Sequence, residues 1–316
     1  MILSMFNPNR TSKCINDLIT KYSMKLIYKT LYTNIYKGSG VVLKKYRTFK
    51  TKGIYMNERI QMERMHSTQM STPRLIEYDD GEMYLLMQDL GTDGIELINE
   101  QAMEETTWKL FYQQVYKDLN IMHDFGYVHR DLKPENVVFK NGRWCIIDFA
   151  FAEAKESPLA DRVFGTLPYC APFLGNTKML GVFLRFHDRS FIKVANDYFA
   201  FALTTLSMAV DINDNRSGKL VVVNLKRIQE IAVGQPNTVV GTCAMIVLSV
   251  VDINYEFMIW SNFSCTFSTC IKTEDVVITD DLVVRNMKKL WETLGTIIEK
   301  QIGPYNDNVQ IENKCE

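Results

Sequence analysis

Neither sign of charge dominates this 316-residue sequence: 36 lysines and arginines face 37 aspartates and glutamates, for a formal net charge of -1. A protein built mainly to coat nucleic acid needs a strong basic excess, so that class is excluded, while local basic patches stay open. The sequence also lacks any C-x-x-C pair, and its 7 cysteines are scattered and odd in number. That excludes a zinc site or a disulfide scaffold and points to a reducing, intracellular compartment, cytoplasm or nucleus. Long apolar runs are missing as well. The most apolar run, Val239 to Val251, has 13 residues and includes Gly241, Thr242 and Ser249. A membrane span needs ~20, so no transmembrane segment is expected and the run reads as a buried core helix. Residues 1–10 have neither the basic start nor the apolar stretch of a signal peptide. Internal repeats and low-complexity tracts are absent.

What is present is ordinary for a globular chain: 47% apolar and 23% charged residues, enough apolar surface to offset chain entropy. The length suits two domains or one bilobal enzyme. Tyr32–Tyr36, Val41–Tyr46 and Met83–Met87 read as strands, separated by Gly-Ser-Gly and Asp-Asp-Gly turns. Between them Met56–Met65 reads as a helix, with Glu58, Met62 and Met65 on one face. A glutamate on an apolar face asks for a buried cation. Gln88 to Gly94 reads as a loop. Trp108, Phe111, Val115, Leu119 and Met122 then form the stripe of a core-facing helix. Asn141-Gly142, flanked by Val137–Phe139 and Trp144–Ile147, signals a hairpin. Tyr198–Val210 and Asp281–Lys300 read as later helices, and residues 211–280 are the least readable stretch.

The chemistry concentrates in His129-Arg130-Asp131-Leu132-Lys133-Pro134-Glu135-Asn136, which the hairpin separates from Asp148-Phe149-Ala150. One carboxylate to orient a hydroxyl, a lysine to neutralise a moving phosphoryl group, and an Asn–Asp pair to hold magnesium suit phosphoryl transfer. This string resembles the catalytic loop of eukaryotic-type serine/threonine protein kinases, followed by a DFG-like tripeptide at the expected distance. The resemblance covers about residues 22–210. It implies an α+β, bilobal fold: a small β-rich N-lobe over residues 1–88 with one helix, and a larger, mainly α-helical C-lobe over 89–316. Its implied cofactors are ATP and Mg2+, and its implied partner is a protein substrate whose identity these residues do not name. Asp131 and Lys133 take the catalytic positions, and Asn136 and Asp148 the metal positions. Lys44 of Val41–Lys44 takes the phosphate-binding position with Glu58 as its pair, while strand alternation turns Lys45 to the opposite face. Met87 matches the gatekeeper, and Gln88, Asp89 and Leu90 match the hinge against adenine. Asp197, opening the helix Tyr198–Val210, matches the aspartate that braces the catalytic loop. Lys133 and Thr166 point to Ser/Thr rather than Tyr specificity. His66, His123 and His187 read as core or surface residues, and His129 as structural, packed under Phe149.

The departures from the family pattern are specific. Tyr28, Thr30 and Thr33 stand where glycines cover the phosphates, and backbone approach there needs small residues. Ala150 replaces the DFG glycine, and Phe173 the glutamate of A-P-E. Arg130 implies a phosphate-receiving pocket, yet Glu153 stands where a basic residue is expected and would repel a phosphate. Lys155, two residues on and on the same side in extended chain, offers partial rescue, and basal activity largely independent of loop phosphorylation is therefore expected. All of Lys44, Asp131, Lys133, Asn136 and Asp148 are present, which favours catalysis; the altered loop favours a catalytically weak pseudokinase that serves as a scaffold or allosteric partner. A small-molecule kinase of the same fold is a third reading. The divergence suggests a fast-evolving source such as a large DNA virus.

Overall fold

The computed structural model describes residues 15–101, 103–158, 165–166, 169–175, 188–210, 220–223, 225–250, 257–260 and 281–303. His187, Cys14, Cys265, Cys270, Cys315 and most of 211–280 lie outside the described residues, as do 159–164, 167 and 168 of the segment after Asp148. The chain begins with α1 (Ile15–Lys21), followed by β1 (Lys25–Lys29), β2 (Thr33–Gly38) and β3 (Val41–Tyr46). Then come α2 (Lys52–His66), β4 (Leu75–Asp79) and β5 (Tyr84–Gln88). These strands form one antiparallel sheet in the order β1-β2-β3-β5-β4. The expected strands are there: Val41–Tyr46 is β3 with the same bounds, and the other two are displaced by one or two residues; β1, β4 and α1 are additions, because none of the three carries an alternating apolar pattern of its own.

Both faces of β3 and β5 are covered. Val41, Leu43, Tyr84 and Leu86 pack under Leu18 of α1, whereas Tyr46 and Leu85 face Tyr55, Met62 and Met65 of α2. Period-two alternation thus sends Lys44 and Tyr46 together toward α2, and Lys45 to the other side, where it pairs with Glu82 at 3.1 Å.

Helices dominate afterwards. The stretch expected as a loop, Gln88 to Gly94, contains the two-residue β6 (Thr92–Asp93), paired with Phe139 and Val138, and is followed by α3 (Gly94–Asn99), capped by the Asp93 carboxylate. α4 (Glu105–Asp124) buries Phe111, Val115, Leu119 and Met122 as the stripe required. It also buries Gln114 and Asp118, which an apolar stripe does not reveal: Gln114 Oε1 accepts from the Trp144 N–H at 2.6 Å, and Asp118 accepts from the Ser71 N–H at 3.3 Å. β7 (Tyr127–Val128), the hairpin β8 (Val137–Lys140) and β9 (Arg143–Ile146), and β10 (Glu153–Ala154) frame the polar loop. α5 (Pro172–Gly175), α6 (Arg189–Ala209), β11 (Leu220–Val223), α7 (Leu225–Gly234), α8 (Val239–Leu248), β12 (Phe257–Trp260) and α9 (Asp281–Ile302) complete the larger lobe. α8 is the buried helix expected from the apolar run, with Cys243 and Ile246 fully enclosed. Among the described residues, no helix is long and apolar enough to cross a membrane.

The passage between the lobes depends on Gly91. Its φ is +108°, and a Cβ there would stand 2.1 Å from the Phe139 carbonyl oxygen. Gly91→Ala should therefore lower stability by more than about 1 kcal/mol, seen as a lower urea midpoint at unchanged slope.

Candidate active site

Lys44 is fastened between the lobes. Its Nζ lies 3.0 Å from Glu58 Oε1 on α2 and 2.9 Å from Asp148 Oδ1 beyond β9. Burial opposes the ammonium, but the carboxylates of Asp148 and Glu58 hold it protonated well above its ordinary range. Burial raises the Glu58 carboxyl despite Lys44 beside it. Asp148 is held below the usual carboxylate range: burial works against this, and Lys44 outweighs it.

Asp148 adopts a left-handed backbone (φ 63°) and caps the 3-10 turn Phe149–Phe151 that follows. Ala150 sits inside that turn, whose right-handed backbone accepts a Cβ, so the missing glycine costs nothing here. Asn57 of α2 donates to the carbonyls of Ala150 and Ala152, both at 2.9 Å. The helix that carries Glu58 is thus tied to the segment that carries Asp148. Phe149 packs edge-on against His129, with ring centroids 5.4 Å apart. His129 is structural: its Nε2 meets the Ile147 carbonyl at 3.0 Å, while its Nδ1 accepts from the Asp131 N–H at 3.3 Å.

The polar loop hangs from α6. Asp197 does not open that helix, which begins at Arg189; it lies in its middle, fully buried. The helix starts earlier than expected because Lys193 and Asn196 are buried by polar contacts and so interrupt the apolar pattern. The Asp197 carboxylate accepts from the backbone N–H groups of His129 and Arg130, both at 2.8 Å, and meets His123 Nε2 at 2.9 Å. Burial would raise its pKa, but these hydrogen bonds, His123 first, hold it below the usual range. Arg130 takes φ 70°, which turns both N–H groups toward Asp197.

Asp131 is then dressed on both oxygens. Thr166 Oγ1 donates to Oδ1 at 2.7 Å, while Asn136 Nδ2 (3.2 Å) and Lys133 Nζ (3.3 Å) reach Oδ2. Lys133 Nζ also donates to Thr166 Oγ1 at 2.6 Å. Burial opposes the Lys133 charge, but Asp131 beside it raises its pKa. Gly165, at φ +108°, permits this approach: a Cβ there would lie 2.3 Å from the Arg130 carbonyl oxygen.

Met87 pairs with Val42 across β3 and β5 and is half-buried; Gln88 is exposed and Leu90 half-buried. Asp89, between them, holds the passage together. Lys37 reaches its carboxylate at 3.1 Å, and Lys140 donates to its carbonyl at 3.1 Å. Burial opposes the Asp89 charge, but the Gly91 N–H and Lys37 keep its carboxyl below the usual range.

Arg130 does not face an open pocket. Its Nη1 lies 2.7 Å from Glu153 Oε1, and the same oxygen lies 3.0 Å from Lys193 Nζ. Lys193, 3% exposed, also donates to Ser157 O and Oγ, each at 2.6 Å. Glu153, expected to repel a phosphate there, also neutralises two cations. Asn57, Tyr46 and Lys193 are the residues that sequence reasoning missed, and the basic or amide type at buried helical positions was the signal available for Asn57 and Lys193.

Residues 30–183 match the family model described as the protein kinase domain. A calcium/calmodulin-dependent protein kinase type 1 of Caenorhabditis briggsae is 31% identical over 111 residues, 33% of this chain and 31% of that one. A mitogen-activated protein kinase kinase kinase 3 of Arabidopsis thaliana is 28% identical over 161 residues, 48% and 29% of the two chains. A candidate serine/threonine-protein kinase of Invertebrate iridescent virus 3 is 28% identical over 138 residues, 35% of this chain and 41% of that one. The chain spans about a third or less of the length of the first curated relatives it matches.

Breaking the Glu153 cluster should be costly on one side only. Glu153→Gln leaves Arg130 and the buried Lys193 without their shared carboxylate, and should lower stability by about 3 kcal/mol in urea denaturation. Ser157→Ala removes one acceptor among several around Lys193 and should cost about 1 kcal/mol or less. Equal losses would mean that Glu153 is not the anchor.

Proposed function

We propose that this chain, which has the bilobal protein kinase fold and a protein kinase domain match over residues 30–183, transfers the γ-phosphoryl group of ATP to Ser or Thr hydroxyls of protein substrates. The observation that carries this reading is the position of Lys44, ion-paired at once with Glu58 and Asp148. That geometry places a fixed ammonium beside the carboxylate assigned to metal, where nucleotide phosphates and magnesium must meet. In this reading residues 1–88 cover the nucleotide and 89–316 carry the substrate side. Met87, Gln88 and Leu90 line the adenine edge at the passage between lobes.

The donor set fits magnesium. Among the described residues no group of three or more His, Cys, Asp or Glu side chains could hold a metal by itself. Magnesium is bound through one or two carboxylates together with substrate phosphates, and Asp148 with Asn136 supplies that share. When bound, the ion neutralises phosphate charge. Asp131 orients the attacking hydroxyl and accepts its proton at a carboxylate oxygen; Lys133, beside it, offsets charge on the transferring group. Thr166, hydrogen-bonded to both Asp131 and Lys133, supports the Ser/Thr choice, because it fixes both side chains.

The alternative, a pseudokinase, draws on the β1–β2 turn. Thr30 Oγ1 accepts from the N–H groups of Tyr32 and Thr33, at 3.1 and 2.9 Å. Two donors that would serve phosphate oxygens are thereby occupied within the chain.

Two measurements separate these readings. Asp131→Asn and Asp148→Asn should each lower phosphate incorporation from labelled ATP by about 10²–10³ or more. Incorporation equal to wild type by Asp148→Asn would leave only the scaffold. In calorimetric titration with magnesium, Thr30→Gly with Thr33→Gly should bind ATP roughly five- to thirty-fold more tightly, since two hydrogen bonds of ~1 kcal/mol each are released to the nucleotide. Unchanged or weaker binding would show that this turn does not approach the phosphates.

A further inference from the structure

The Lys44–Glu58 pair has a third member. Tyr46 follows Lys44 by two residues on β3, so it points to the same face of the sheet. It is 2% exposed, and its hydroxyl donates to Glu58 Oε2, while Lys44 holds Oε1. Glu58 is itself 2% exposed, and the Asp148 carboxylate repels it. A buried carboxylate with one oxygen unsatisfied is unstable against protonation or outward movement. The ring of Tyr46 is also fixed: it lies edge-on to Tyr55 at 5.6 Å, with the Lys44 ammonium 5.5 Å from its centroid.

We propose that Tyr46 is a positioning residue for catalysis: its hydroxyl holds Glu58 inward and charged, and through Glu58 it sets the place of Lys44. The inference rests on the kinase reading above. β3 therefore grips α2 with two side chains rather than one. Because the adenine edge lies on the other side of Lys44, loss of this grip acts mainly on the transition state, where phosphate charge is redistributed, and less on nucleotide binding.

The test is a double-mutant cycle of Tyr46→Phe and Glu58→Gln, read in kcat and in KM for ATP, with thermal unfolding of every variant. Tyr46→Phe keeps the ring and deletes only the hydroxyl. It should lower kcat about tenfold, about 1.4 kcal/mol, with KM for ATP rising less than about threefold. In the Glu58→Gln background the same substitution should change kcat less than about twofold, because its target carboxylate is gone. Tyr55→Phe is the control: that residue is also buried, but its hydroxyl donates to the half-exposed Asp80 at 2.8 Å, so kcat should hold. An equal fall in both backgrounds, a fall matched by Tyr55→Phe, or a lower unfolding midpoint at unchanged kcat would each overturn the positioning role.

Failure of the kinase reading looks different: wild type shows no Asp131-dependent transfer. The cycle is then read in ADP affinity by calorimetry. Coupling between positions 46 and 58 there supports the positioning of Lys44 in a nucleotide-binding scaffold, and its absence overturns it.

Discussion

The ammonium of Lys44 lies between two carboxylates that arrive from opposite lobes, Glu58 at 3.0 Å and Asp148 at 2.9 Å, and the rest of the site is arranged around that contact. Removing one partner from so enclosed a cluster typically costs about 3–5 kcal/mol, because it leaves a charge without an opposite. Two carboxylates against one ammonium leave a surplus negative charge, however. Hydrogen bonds have to absorb it, and they come from Tyr46 to Glu58 and from the Ala150 N–H to Asp148. Asn57 adds no charge but fixes the spacing, since its two bonds hold α2 against the turn after Asp148. The sheet, the helix and the Asp148 segment are therefore set relative to one another by polar contacts within a few residues of Lys44.

A second buried carboxylate performs the same service for the other half of the site. Asp197 is enclosed by α6 and receives two backbone N–H groups and a histidine nitrogen. Satisfied in this way a buried charge rigidifies its surroundings; half-satisfied, it would be worse than an apolar residue. The consequence is a loop whose backbone is fixed at His129 and Arg130, so that Asp131 emerges in one orientation toward Lys133, Asn136 and Thr166. Apolar packing alone fixes layers and distances, but the direction of Asp131 depends on these hydrogen bonds.

Much of this was legible in the sequence where chemistry is local. Residues 129–136, the hairpin at Asn141-Gly142 and the α4 stripe each contain their own signal within a dozen positions. Lys44 and Glu58 were legible too, because a glutamate on an apolar face demands a cation. What stayed hidden was polar and long-range. Asp197 was found, yet the start of its helix was missed, since Lys193 and Asn196 look like exposed residues until their partners Glu153 and Ala171 are in place. Tyr46 resembled ordinary core, and nothing in a strand pattern says that a buried phenol faces a carboxylate. α1 was missed because a single turn or two of helix gains its stability from the sheet it covers rather than from its own periodicity.

Two of the places where this chain departs from the family pattern share one chemistry. At the β1–β2 turn, the Thr30 hydroxyl takes the backbone N–H groups that a glycine loop would leave for phosphate. At Arg130, the Glu153 carboxylate takes the guanidinium that a phosphorylated loop would otherwise engage, and shares it with Lys193. In each case an internal oxygen stands where an external phosphate oxygen would bind. The two substitutions act in opposite directions. If the β1–β2 turn meets nucleotide, as the proposed function has it, the internal acceptor competes with the ligand, because the same N–H cannot serve both. An internal carboxylate at Arg130 removes the need for a ligand, because the cation is already neutralised and β10 is already paired with β7. A phosphate arriving near Arg130 would have to displace a bonded carboxylate while facing its repulsion, so phosphorylation there has little left to stabilise. On the proposed function, weak nucleotide hold and independence from loop phosphorylation would thus both follow from a single replacement, side-chain oxygen for phosphate oxygen.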